Sequence, residues 1–142
     1  MQRTGTPVIL SACENGDAVM SLKITLLVIA AGSVGTLLRY LIVRSFPLSM
    51  LPWSTFTVNV TGSFLAGLLF VLMKQRFPAF EPYAPIFLIG FLGAFTTFST
   101  LVLESTNMLL AGEYGRAALN LLIQNVSGVA AVFCGICAGR LI

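Results

Sequence analysis

Trp53-Ser-Thr-Phe-Thr-Val-Asn-Val-Thr-Gly-Ser-Phe-Leu-Ala-Gly-Leu-Leu-Phe-Val-Leu-Met73 contains no charged residue and no proline. A helix needs roughly 20 consecutive apolar residues to cross the hydrocarbon of a bilayer, and this stretch supplies them. Its apolar residues do not alternate with polar ones, so a half-buried strand is a poor reading. Working outward, three more stretches have the same character. One spans 24–43 and is interrupted only by Arg39; one spans 85–111 and is uncharged as far as Leu103; one spans 117–140 and is uncharged as far as Gly139. Only helices and closed barrels satisfy every backbone polar group in lipid, and the lengths favour helices. The sequence therefore predicts an all-α integral membrane protein with four transmembrane helices. Pro47, Pro52, Pro78, Pro82 and Pro85 fall between these stretches or at their starts, where a missing backbone donor does least harm.

Composition agrees. Of 142 residues, 57% are hydrophobic and 9% charged, with a mean hydropathy of +0.96; a soluble domain carries roughly 25% charged residues. The net charge of +3 is too small and too dispersed for nucleic-acid binding. Histidine is absent, which removes histidine-based catalysis and metal ligation, and no catalytic residue is expected. Cys134 and Cys137 form a C-x-x-C pattern inside an apolar run and read as small helix-face residues; with Cys13 they make no disulfide framework. Residues 1–22 lack helical periodicity and are expected to be a disordered extension, leaving 23–142 as one membrane domain; Met20 reads as a natural start. If the four helices alternate in direction, Lys23, Lys74, Arg76 and Arg140 lie on one side, and Arg39, Arg44 and Arg116 on the other. Four against three gives almost no positive-inside bias. Either other factors set one orientation, or the chain inserts both ways and pairs with itself.

Three groups of polar residues could carry chemistry. Thr96, Thr97, Ser99 and Thr100 crowd into the third span after Gly90 and Gly93. Glycine and threonine weaken helix, so the segment 93–100 is expected to break. Unwound backbone in mid-membrane frees carbonyls that can hold a cation; the alternative is an unbroken helix whose hydroxyls bond back to their own turn. In the second span Thr55, Asn59 and Ser63 share one face. In the fourth, Asn120, Gln124 and Ser127 form a second stripe, and Gly135 and Gly139 form a G-x-x-x-G packing face. Such stripes either glue helices together or line a wet path. Arg39 and Glu104 are charged residues within the first and third spans, both toward an end, where long side chains reach water.

Taken together, Gly35-Thr-Leu-Leu-Arg-Tyr40, Thr55-Phe-Thr-Val-Asn-Val-Thr-Gly-Ser-Phe64 and Gly90-Phe-Leu-Gly-Ala-Phe-Thr-Thr-Phe-Ser-Thr100 resemble, in order, the first-, second- and third-helix signatures of the Fluc/CrcB fluoride channels. The resemblance covers about 23–142. It implies an antiparallel, dual-topology homodimer in the inner (plasma) membrane, with the lipid bilayer as surroundings and two pores for fluoride ion, which lower cytoplasmic fluoride toxicity. It implies that Asn59 offers its amide, Phe98 its ring edge, and Ser99 and Thr100 their hydroxyls along the pore. Arg39 and Glu104 would stand at pore mouths. A structural sodium ion (Na+) at the dimer interface would be held by backbone carbonyls at Gly93 and Thr96. Two departures stand out: Leu101 occupies the place of the family's usual second phenylalanine, and Ala94 and Ser54 stand where glycine is frequent. A small dual-topology multidrug transporter is the rival reading, but it would need an acid in the first span, and 24–43 has none.

Overall fold

The structure is a computed structural model and describes residues 22–46 and 51–142. Four helical segments are long and apolar enough to cross a membrane: Leu22–Ser45, Trp53–Arg76, Ile86–Leu110 and Tyr114–Leu141. The chain is thus an all-helical, multi-pass membrane protein. Residues 1–21 of the expected extension, with Cys13 and Met20, lie outside the described residues, as does Pro47.

The first, second and fourth spans extend past their sequence-predicted ends, for local reasons, whereas the third, Ile86–Leu110, stops one residue short of 85–111 at each end. The second is α-helical over Trp53–Val71 and then widens into a π-helical turn, Leu72–Arg76. The expected loop 74–84 is itself largely helical, since Pro78 opens a 3-10 turn over Pro78–Tyr83. Proline suits this position because a first turn has no helical acceptor for its missing N–H. The fourth span begins three residues before the predicted Ala117, because the Glu113 carbonyl accepts from the backbone N–H of Arg116 and of Ala117.

The third span has three parts. Wide π turns run over Ile86–Leu92, a single α turn over Gly93–Phe95 follows, and a regular helix occupies Phe98–Leu110. Between them Thr96 (φ −77°, ψ 160°) and Thr97 (φ −150°, ψ 110°) are extended. Thr97 caps the second half: its hydroxyl accepts the Thr100 N–H at 3.2 Å, which satisfies one of the orphan donors of a helix start. The end of this span is equally well defined. Gly112 sits at φ +77°, with its N–H bonded to Leu109 C=O and the Glu113 N–H to Met108 C=O, the paired bonds of a Schellman stop.

Packing is led by the second and fourth spans, while the first packs against the opening half of the third, and Phe98–Leu110 against the fourth. Glycine sets the closeness. A Cβ on Gly67 would lie 2.1 Å from the Val132 carbonyl oxygen, and one on Gly135 2.1 Å from that of Phe64. Gly135 and Gly139 are both buried, so the predicted packing face is used within the chain, against the second span. Burial is inverted relative to a soluble protein. Thr55, Thr97, Ser105, Asn120 and Gln124 are buried, while Leu26, Ile29, Leu122, Val126 and Phe133 are exposed. That is the arrangement hydrocarbon favours as solvent, since polar groups must then be satisfied inside.

Candidate functional site

Asn59 is the centre of the buried polar seam. Its Oδ1 accepts the Thr97 N–H at 2.8 Å, and its Nδ2 donates to Thr97 C=O and to Gln124 Oε1, both at 3.1 Å. A side-chain amide thus pairs with the backbone of the extended residue much as a neighbouring strand would. Both Asn59 N–H groups are engaged within the chain. The fourth span continues the seam: Gln124 Nε2 donates to Asn120 Oδ1, and Asn120 Nδ2 to Ser105 Oγ, each at 2.9 Å. The Ser105 hydroxyl ends it on Leu101 C=O at 2.8 Å. Of the predicted fourth-span stripe, Asn120 and Gln124 join this seam.

The hydroxyl cluster divides by role. Thr96 bonds back to Leu92 C=O at 2.9 Å, the local bond expected of a helical threonine. Thr97 Oγ1 lies 2.9 Å from Thr100 Oγ1 and 3.3 Å from Ser99 Oγ. Phe98, 70% exposed, projects from the start of the helix beside them. A cavity of about 590 Å³ opens here, lined by Asn59, Ser63, Thr96, Thr97, Phe98 and Gln124 among others. Asn59 and Phe98 are therefore brought together on it, with Gly93, Thr96 and Leu101 also in its lining.

The ionisable residues differ in placement. Arg39 does not reach for the end of its span, as a snorkelling side chain would: its Nη1 donates to Thr96 C=O at 3.2 Å, next to the extended pair. Glu104 Oε1 accepts the Thr55 hydroxyl at 2.7 Å, joining the start of the second span to the latter half of the third. Glu104 Oε2 is buried and has no hydrogen-bond partner among the described residues. Thr55 therefore parts from Asn59 in function, although the two share a helix face. Cys134 and Cys137 are exposed on the fourth span.

The donor set beside the extended pair suits a hard cation. The Thr97 N–H would close the next helical turn onto Gly93 C=O, but it is given to Asn59, so the Gly93 carbonyl lacks that helical donor. The Thr96 carbonyl is shared with Arg39 and keeps a second lone pair. Neutral carbonyl oxygens of this kind suit a hard cation better than a transition metal that prefers nitrogen or sulfur, and the Arg39 guanidinium on the Thr96 carbonyl opposes a second positive charge at that oxygen.

Sequence reasoning did not single out Thr97 or Ser105 by themselves. Thr97 stood undistinguished among four neighbouring hydroxyl residues, and its backbone carries the key contacts. Ser105 follows Glu104 in a stretch where no pattern in the sequence set it apart.

Four spanning helices around a buried polar seam, with a cavity of largely apolar lining beside it, define a multi-pass membrane protein. Comparison narrows the class. Residues 26–136 match the family described as CrcB-like protein, Camphor Resistance (CrcB), and the chain belongs to that family. A relative from Magnetococcus marinus, Fluoride-specific ion channel FluC, is 42% identical over 114 residues, covering 78% of this chain and 93% of the relative. Proteins with the same name from Desulforapulum autotrophicum (42% over 115 residues, 79% and 92% covered) and Agrobacterium fabrum (39% over 117 residues, 80% and 94% covered) are also similar.

Proposed function

We propose that this protein is a fluoride-selective channel that lets fluoride leave the cytoplasm passively. The observation that carries the reading is the cavity at the extended Thr96-Thr97 pair, where Asn59, Thr97 and Phe98 face one space, with the Ser99 and Thr100 hydroxyls beside Thr97. Fluoride is small and holds water tightly, so a path must replace that water with donors. Hydroxyls, an amide and the electropositive edge of an aromatic ring are such donors. The Asn59 bond to neutral Gln124 is the exchangeable one. Hydrogen bonds to an ionised acceptor are roughly twice as strong as neutral ones, so a passing anion competes well for that N–H.

Residues 23–142 form the conducting domain, with residues 1–22 outside it, and the chain acts without bond-making chemistry in the inner (plasma) membrane. The interrupted third helix is part of the conducting architecture. Two copies inserted in opposite directions complete each path: Phe98 is exposed on a single chain, and the charge bias is almost nil. Gly93 and Thr96 carbonyls, from both copies, would hold sodium, which when bound supplies a fixed positive charge that offsets bringing an anion into low dielectric. Arg39 adds a second positive centre, held at the interruption by Thr96, and Glu104 with Thr55 closes one end of the polar route. The multidrug-transporter alternative lacks its required first-span acid.

The test is fluoride efflux, read by electrode, from liposomes holding the purified chain. Efflux that exceeds chloride efflux and is abolished by Asn59→Asp is expected, since a carboxylate repels the anion. A folded preparation that passes no fluoride overturns the reading.

A further inference from the structure

The seam through Asn59 has a direction, and both of its ends are fixed. The Thr97 N–H can only donate, so Asn59 must turn its oxygen toward it. Both Asn59 N–H groups are then committed to Thr97 C=O and Gln124 Oε1. Gln124 in turn gives a hydrogen to Asn120 Oδ1, Asn120 gives one to Ser105 Oγ, and Ser105 ends on Leu101 C=O, which can only accept. Turning over Gln124 would set donor against donor at Asn59 and acceptor against acceptor at Asn120; turning over Asn120 would set its N–H against that of Gln124 and draw the Ser105 hydroxyl away from Leu101 C=O. Water cannot easily repair such an error, because Asn120 and Gln124 are 2% and 3% exposed. Buried polar chains of this kind are costly when one link fails.

We propose that Asn120 is a positioning residue for the anion path. It does not line the cavity, whereas Gln124 and Asn59 do. By accepting one Gln124 N–H it aims Gln124 Oε1 at Asn59, and through Asn59 it holds the Thr97 backbone extended. The arrangement also leaves Gln124 one N–H beyond the one given to Asn120, on a residue that lines the path. This inference rests on reading the cavity as the anion path, but its test does not depend on conduction.

A positioning role and a packing role order two substitutions of similar size differently. Asn120→Asp keeps an acceptor for the Gln124 N–H and can accept the Ser105 hydroxyl. Asn120→Leu keeps the bulk and removes the acceptor. Hydrogen exchange at the Thr97 amide, followed by NMR on the full chain in lipid nanodiscs, separates them. Asn120→Leu is expected to speed that exchange about tenfold, the scale of one lost buried hydrogen bond, and Asn120→Asp by less than about threefold. Unchanged exchange in Asn120→Leu overturns the proposal. So does the reverse order, which simple packing predicts because a buried carboxylate disturbs a core more than leucine does. If Asn120→Leu does not fold, Ser105→Ala decides: exchange at Thr97 several-fold faster supports the relay, and wild-type exchange refutes it. Liposomes are assayed in parallel. A wild-type chain that passes no fluoride removes the conduction reading, while the Thr97 exchange still decides what Asn120 does. With conduction intact, Asn120→Leu is expected to slow efflux as well.

Discussion

Asn59→Leu would strand three polar groups at once: the Thr97 N–H, the Thr97 carbonyl and Gln124 Oε1. Each buried group left without a partner costs about 1–3 kcal/mol, so destabilisation of roughly 3 kcal/mol or more is expected. Denaturant titration in detergent checks it; a loss below about 1 kcal/mol would mean that the amide does not hold the extended backbone. The position of Asn59 was legible in the sequence as an amide within an apolar helix. Its partner was not, because hydropathy reports side chains, whereas the contact runs to a backbone in another span. Arg39 illustrates the same limit. Its position toward the end of the first span suggested a residue reaching for water, yet it donates to a carbonyl well inside the third span. Nothing in a helical periodicity distinguishes those two destinations.

Among elements, the second and fourth spans depend on glycine for their approach. Gly67→Ala or Gly135→Ala would push a methyl to 2.1 Å from a backbone oxygen, which only separation of the two helices relieves. Overpacking typically costs about 1–3 kcal/mol, and contact with backbone belongs at the upper end. Both variants should lower the unfolding midpoint, while Gly115→Ala, with nothing within 4 Å, should leave it level or raise it slightly. A Gly67→Ala chain as stable as the wild type would contradict this packing. At the end of the third span, Gly112→Ala forces alanine to a positive φ of 77°, and about 1 kcal/mol should be lost. The G-x-x-x-G face was readable from small-residue spacing alone. The Gly93–Thr100 stretch was readable as weak helix, but the extended conformation falls on Thr96 and Thr97 because Asn59 and the Thr97 cap reward it there.

For the molecule as a whole, the near balance of charge between faces is itself testable. Replacing Lys23, Lys74 and Arg76 with serine leaves Arg140 alone against Arg39, Arg44 and Arg116 and should set one orientation; replacing Arg44 and Arg116 leaves Arg39 alone against the other four and should set the opposite one. Cysteine labelling from one side of the membrane reads the outcome. If oppositely inserted copies complete the path, each variant alone should lose fluoride efflux, and co-expression should restore it. Retained efflux from either variant alone would sink the antiparallel arrangement. The membrane class and the number of spans followed from hydropathy, since lipid imposes length and internal satisfaction on any spanning helix. How the spans pack could not follow, because hydropathy is nearly uniform around each of them and the choice falls to a few polar and glycine contacts.

The clasp between Asn59 and Thr97 ties the shape of the third span to its docking against the second. A third span standing apart from the second has no outside amide to take its Thr97 hydrogen, so that backbone does better closing its own turn onto Gly93. The interruption in the third span is therefore held from outside it, by an amide that the packing of two spans brings within reach.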